Sequence, residues 1–204
     1  FESLFAHQSL MNLNEFNSLV DLYFYQEKKQ NSQSDFLEWL NPKNKVKFTW
    51  EETSSSIYKL AKTIKENIKD GDRCLLISEN RPEWLISDIA IMLANGITVP
   101  AYTTYTKKDY QYLIEDCEPS VIIVSNNELH DKLKDIIDEK DFIKKIITFE
   151  KIEKVDYKKK YLDFTFIINN DLKQEDRIKN LNLKRNSPAC IIYTSGTGGN
   201  PKGV

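Results

Sequence analysis

Asp72-Arg73-Cys74-Leu75-Leu76-Ile77-Ser78 is a short apolar run between polar residues, and the segments on its carboxyl side decide the fold class. Glu79-Asn80-Arg81-Pro82 reads as a turn, and Glu83 to Asn95 as a helix, with Asn80 as its cap and Pro82 in its first turn. Gly96 ends that helix, and Ile97 to Tyr102 reads as the next strand. Strand, helix and strand joined this closely make a parallel crossover unit.

The same alternation continues downstream. Thr106-Lys107-Lys108-Asp109 opens a helix to Cys117, and Pro119 turns into a strand from Val121 to Ser125. A helix over about Glu128 to Asp138 precedes a strand from Lys145 to Phe149. The pattern predicts an α/β fold, a doubly wound parallel sheet covered on both faces, in which ligands bind beyond the carboxyl ends of the strands. Upstream, Leu13 to Gln30 reads as an amphipathic helix through Phe16, Val20, Tyr23 and Phe24. Phe36 to Leu40 and Lys45 to Trp50 read as a hairpin joined through Asn41-Pro42-Lys43-Asn44. Thr49-x-x-Glu52 forms a capping box for a helix through Asp70, which Gly71 ends; Ile57, Leu60, Ala61, Ile64 and Ile68 share its core face.

At the other end, the run Cys190 to Tyr193 reads as a buried strand that enters Thr194-Ser195-Gly196-Thr197-Gly198-Gly199-Asn200-Pro201-Lys202-Gly203. Glycines let the backbone approach a ligand, and successive N–H groups in such a loop make an anion site. Thr and Ser hydroxyls add donors, and Lys202 adds a point positive charge. The loop is built to hold phosphate. It is not a Walker A loop, because Lys202 follows Pro201 and precedes Gly203. Nor is it the dinucleotide fingerprint, because Pro201 stands at the third glycine position.

Composition supplies bounds. The 204 residues are 40% hydrophobic and 29% charged, with a net charge of -2, which gives no whole-chain reason to expect nucleic acid as partner. The longest apolar segment, Trp84 to Ala94, is broken by Ser87 and Asp88 and falls short of the roughly 20 residues a spanning helix needs. Cys74, Cys117 and Cys190 are odd in number and lie far apart, which predicts reduced thiols and a cytoplasmic protein, and no metal spacing is present. His7 and His130 receive no role. The start carries no initiator Met and no signal peptide, and both ends read as cut ends of a longer protein. Lys151, Lys154, Lys158, Lys159 and Lys160, interleaved with Tyr157 and Tyr161, read as a solvated face offset by acidic neighbours rather than a nucleic-acid or lipid patch.

Tyr193 to Val204 resembles the signature of the adenylate-forming superfamily, which comprises acyl-CoA synthetases, luciferases and peptide-synthetase adenylation domains. Gly198 departs from it, standing where that family usually carries Thr. Glu79-Asn80-Arg81-Pro82-Glu83-Trp84, Val99-Pro100-x-Tyr102-x-Thr104 and Thr49-Trp50-x-Glu52 are similar to stretches of bacterial long-chain fatty acid–CoA ligases. The resemblance covers nearly the whole chain, most weakly at 1–12 and 150–186. It implies the amino-terminal subdomain of such an enzyme: a truncated AMP-binding domain over 1–204, with the carboxy-terminal domain beyond the chain. It further implies ATP and coenzyme A as co-substrates, Mg²⁺, and a fatty acid activated first to acyl-adenylate and then to acyl-CoA. Thr194, Ser195, Gly196, Thr197, Gly198, Gly199 and Lys202 match positions expected to grip the β- and γ-phosphates. Lys202 is the charge-neutralising catalytic residue, and no residue here is a metal ligand.

Alone, the chain is expected to bind ATP weakly or not at all. Transient contact with the inner face of the membrane and a homodimer stay open. Two other readings also stay open: an adenylate former for an aryl or amino acid, and a non-catalytic nucleotide-binding protein that keeps the fold. Without the resemblance, Trp84 reads as core or staple and Arg81 as a surface or capping residue. Tyr102, Thr103 and Thr104 read as a strand exit or a pocket lining.

Overall fold

The computed structural model describes residues 13–40, 45–157, 160–171, 183–194 and 201–204. Five strands, β3 (Arg73–Ile77), β4 (Ile97–Ala101), β5 (Val121–Val124), β6 (Lys145–Thr148) and β7 (Tyr161–Asp163), form one parallel sheet ordered β4-β3-β5-β6-β7. The strands read as unbroken apolar runs because both faces are covered. Period-two alternation sends Cys74, Leu76, Val121, Ile123 and Ile147 to one face and Leu75, Ile77, Ile122, Val124 and Ile146 to the other. The first face is covered by α1 (Leu19–Glu27), α2 (Trp50–Lys65), α3 (Pro82–Leu93) and α7 (Phe164–Asn169). The second is covered by α4 (Lys107–Cys117), α5 (Asn127–Asp131) and α6 (Lys134–Asp138). The doubly wound fold is therefore present. Pro100 is tolerated because β4 is an edge strand of this sheet.

Local signals were decisive where a side chain closes its own cap. Thr49 and Glu52 form the capping box of α2, with Thr49 N–H donating to Glu52 Oε2 at 2.8 Å and Glu52 N–H to Thr49 Oγ1 at 3.1 Å. Thr106 and Asp109 do the same for α4. The hairpin pairs β1 (Asp35–Leu40) with β2 (Lys45–Thr49); its connection, 41–44, lies outside the described residues.

Several boundaries differ from the expectation, each for a local reason. The helix expected over Leu13 to Gln30 is a 3-10 turn, Leu13–Glu15, followed by α1, because Ser18 accepts from Asp21 N–H and starts a new helix. Helix α2 stops at Lys65 rather than Asp70. Asn67 closes it, its N–H on the Ile64 carbonyl and its amide on the Thr63 carbonyl, and Gly71 (φ +82°) then turns the chain. Asn80 does not cap α3; Arg81 occupies that position without a side-chain cap bond. Asn95 (φ 66°), not Gly96, takes the left-handed turn after α3. Asn95 N–H then reaches the Met92 carbonyl and Gly96 N–H the Ile91 carbonyl, a Schellman ending. The single helix expected over Glu128 to Asp138 divides into α5 and α6, where Lys132 and Leu133 bond to carbonyls three residues back. Strand β7 and helix α7 fall in the region that periodicity left unread.

Candidate functional site

The chain leaves the sheet's edge to build the glycine-rich loop. Thr98 N–H donates to the Ala189 carbonyl (3.1 Å) and Ile191 N–H to the Thr98 carbonyl (2.9 Å), so Cys190 forms a single parallel bridge beside β4. The backbone then forms a small antiparallel hairpin of β8 (Tyr193–Thr194) and β9 (Lys202–Gly203), extended by paired bonds between Ile192 and Val204. The expected buried strand Cys190 to Tyr193 is therefore corrected. Cys190 is exposed, Ile192 is 48% exposed, and of the four only Tyr193 is buried, because the segment bridges an edge rather than entering the sheet.

Thr194 stands directly opposite Lys202, and Tyr193 opposite Gly203. The two outermost of the expected phosphate-loop residues thus face each other at the loop's base, both exposed. Ser195, Gly196, Thr197, Gly198 and Gly199 lie outside the described residues. Gly203 has a steric cause. A Cβ there would stand 2.7 Å from Ile191 Cγ2 and 3.2 Å from Tyr193 Cζ, so the tyrosine ring lies across a backbone that only glycine leaves bare.

Helix α4 touches both stems of this hairpin. Tyr112 donates its phenolic hydrogen to the Pro201 carbonyl at 2.8 Å, and Tyr193 donates its own to Asp116 Oδ2 at 2.5 Å. Burial, followed by that bond to Asp116, pushes the Tyr193 phenol far above the usual tyrosine range. Sequence reasoning gave Tyr112 and Asp116 no role. Their i, i+4 spacing puts them on one helix face, but only the tertiary fold brings the hairpin there.

At the carboxyl ends of β3 and β5 the strand order reverses, the position where open α/β sheets form a crevice. Asn126, the cap of α5, donates to Glu79 Oε1 across it at 2.8 Å. Beside it lies Arg81, read in sequence as a surface or capping residue. Its side chain is 7% exposed and forms a fork onto Glu83, with a third bond to Glu150. Trp84 is half-buried against the core of the α3 face. Tyr102 is 66% exposed, and its carbonyl accepts from Tyr110.

The tyrosines of the basic stretch point inward. Tyr157 hydrogen-bonds Thr148 and accepts from Ile152 N–H, and Tyr161 meets His130 Nε2 at 2.9 Å. The solvated-face reading therefore loses its two aromatics to the core. His130, given no role from sequence, is itself buried. A groove of about 1070 Å³ opens between α1, β2, α2 and α7, bordered by Tyr25, Lys28, Lys47 and Lys59, and no residue expected at the site lines it. Among the described residues, no group of three or more His, Cys, Asp or Glu side chains converges to hold a metal ion. No helix among them is long and apolar enough to cross a membrane.

The fold and hairpin define an α/β domain of the kind found in adenylate-forming ligases. An anthranilate CoA ligase, AuaEII, solved with anthranoyl-AMP, superposes with a TM-score of 0.77 at 20% identity over 95% of this chain and 36% of that one. Acetoacetyl-CoA synthetase from Streptomyces lividans gives 0.76 at 16% identity, over 93% and 30%. Residues 24–204 match the AMP-binding enzyme family, and the chain belongs to it. Among similar proteins, a long-chain-fatty-acid–CoA ligase of Bos taurus (ACSBG1) is 27% identical over 164 residues, and long chain acyl-CoA synthetase 4 of Arabidopsis thaliana 28% over 162. Each match covers 76% of this chain, which spans 23% and 24% of those relatives' lengths.

Proposed function

We propose that the protein containing this chain is an ATP-dependent long-chain fatty acid–CoA ligase. The observation that carries the reading is the hairpin that sets Thr194 opposite Lys202 at the two ends of a Ser/Thr/Gly loop. A carboxylate oxygen attacks the α-phosphorus of ATP, the bond to the β-phosphate oxygen breaks, and pyrophosphate leaves with that electron pair. The thiol of coenzyme A then attacks the acyl carbon, AMP departs and the thiol proton is lost. Catalysis at a phosphorus centre so rich in negative charge rests on positioning and on donors that meet charge developing on the leaving group. Lys202 supplies the positive charge; Thr194, Ser195 and Thr197 supply hydroxyls, and the glycines 196, 198 and 199 supply backbone N–H groups. Residues 1–204 are one part of the AMP-binding domain. Mg²⁺ ligands and the acyl pocket belong to other parts of the protein, and the chain by itself is inactive.

The long-chain assignment is supported by the named relatives. A second reading, an aryl acid as substrate, is supported by the anthranilate CoA ligase among the solved neighbours. Acid-dependent ATP–pyrophosphate exchange on the full-length protein separates them, with a panel of short to long fatty acids, an aromatic acid and amino acids. Exchange confined to long-chain acids and sharply lowered in Lys202→Ala is the expected result. Exchange with the aromatic acid alone replaces the substrate, and a folded, ATP-binding protein without any exchange is non-catalytic.

A further inference from the structure

The hairpin that presents Lys202 has only two paired residues in each named strand, Tyr193–Thr194 and Lys202–Gly203. A ribbon so short does not hold its own register in water. Helix α4 supplies what the ribbon lacks. It is fixed to the sheet by buried Tyr110, Leu113 and Ile114 and by Arg73 Nε, which donates to the Cys117 carbonyl at 2.7 Å, and its own start is closed by the Thr106–Asp109 capping box. From this platform Tyr112 reaches the exit stem at the Pro201 carbonyl, immediately before Lys202. Four residues on, Asp116 receives the hydroxyl of Tyr193, immediately before Thr194. Each bond falls on the residue that immediately precedes one of the facing pair Thr194 and Lys202.

We propose that Tyr112 and Asp116 are positioning residues for the phosphate loop, fixing the separation and register of its two stems so that Lys202 and Thr194 meet the nucleotide's phosphates together. The inference rests on the phosphate-binding reading of that loop. Neither side chain touches substrate in this scheme; they act through Pro201 and Tyr193. A misplacement of about 1 Å at a reacting group costs on the order of 100-fold in rate, so loosening one stem is expected to cost roughly 10- to 100-fold.

The test uses the full-length protein and pyrophosphate exchange, with Tyr112→Phe, Asp116→Ala, Asp116→Asn, Lys202→Ala and the double variant Tyr112→Phe/Lys202→Ala. Tyr112→Phe removes one hydroxyl and keeps the ring. It is expected to lower kcat/KM for ATP roughly 10- to 100-fold while the KM for the acid holds. Asp116→Asn, which still accepts from Tyr193, retains most of the activity that Asp116→Ala loses. The double variant is no worse than Lys202→Ala alone. A Tyr112→Phe enzyme within twofold of wild type for ATP overturns the proposal, as do equal losses for ATP and acid, or losses that simply add to those of Lys202→Ala.

If the wild-type protein exchanges with no acid, or Lys202→Ala leaves exchange intact, the functional reading fails separately. Limited trypsin cleavage after Lys202 then decides the clamp, since faster cleavage in Tyr112→Phe supports it and an unchanged rate rejects it.

Discussion

The guanidinium carbon of Arg81 lies 4.6 Å from the ring centroid of Trp39, which ties the β1–β2 hairpin to the turn after β3. The same guanidinium forks onto Glu83 at 2.8 and 2.9 Å and reaches Glu150 at 2.9 Å. With Arg81 only 7% and Glu83 10% exposed, the pair is shielded from the screening that makes surface ion pairs weak.

Arg81→Ala strands the Glu83 carboxylate and removes the cation over Trp39. Urea unfolding is expected to show a loss of about 3 kcal/mol. Arg81→Lys recovers less than half of it, because an ammonium cannot fork onto one carboxylate while reaching a second. A lysine variant as stable as wild type contradicts this.

Gly203→Ala places a methyl where Ile191 and the Tyr193 ring already stand, so the hairpin must shift. Overpacking of this kind costs about 1–3 kcal/mol, read as a lower thermal midpoint. The larger effect is expected in pyrophosphate exchange, since the displaced ring holds the bond to Asp116.

His130 is buried, with Nε2 on Tyr161 and no partner for Nδ1 among the described residues. Burial holds its pKa below the ordinary histidine value, with Asp131 and Asp138 opposing and Lys134 reinforcing. The unfolded chain therefore takes up a proton near pH 6.5 that the folded protein accepts only at lower pH. Stability falls as pH drops through about 6.5, and His130→Gln flattens that slope. Urea midpoints between pH 7.5 and 5.5 check it; parallel profiles for the two proteins refute it.

Cys74 and Cys117 are buried, and burial raises both thiols, Cys117 to about 12. Neither forms thiolate at neutral pH, so both are expected to react with a disulfide reagent only after unfolding. Rapid labelling of either in the native protein, located by peptide mass, contradicts their burial.

The sequence alone determined the α/β class, the capping box of α2, the start of α4 and the family signature around Lys202. Those features are written in neighbouring residues: a cap satisfies N–H groups three positions away, and strand–helix alternation follows from short apolar periods. The tertiary structure alone decided which polar residues went inside and what they met. Arg81 reads as a surface or capping residue and His130 has no role in its own segment, yet both side chains are buried and each bonds a partner 31 or more positions away, Tyr161 for His130 and Glu150 for Arg81. Strand β7 was unreadable because three residues give no period, and it exists only through its pairing with β6. The hairpin under the loop and its attachment to Tyr112, 89 positions from Pro201, depend on chain closure that no local pattern encodes.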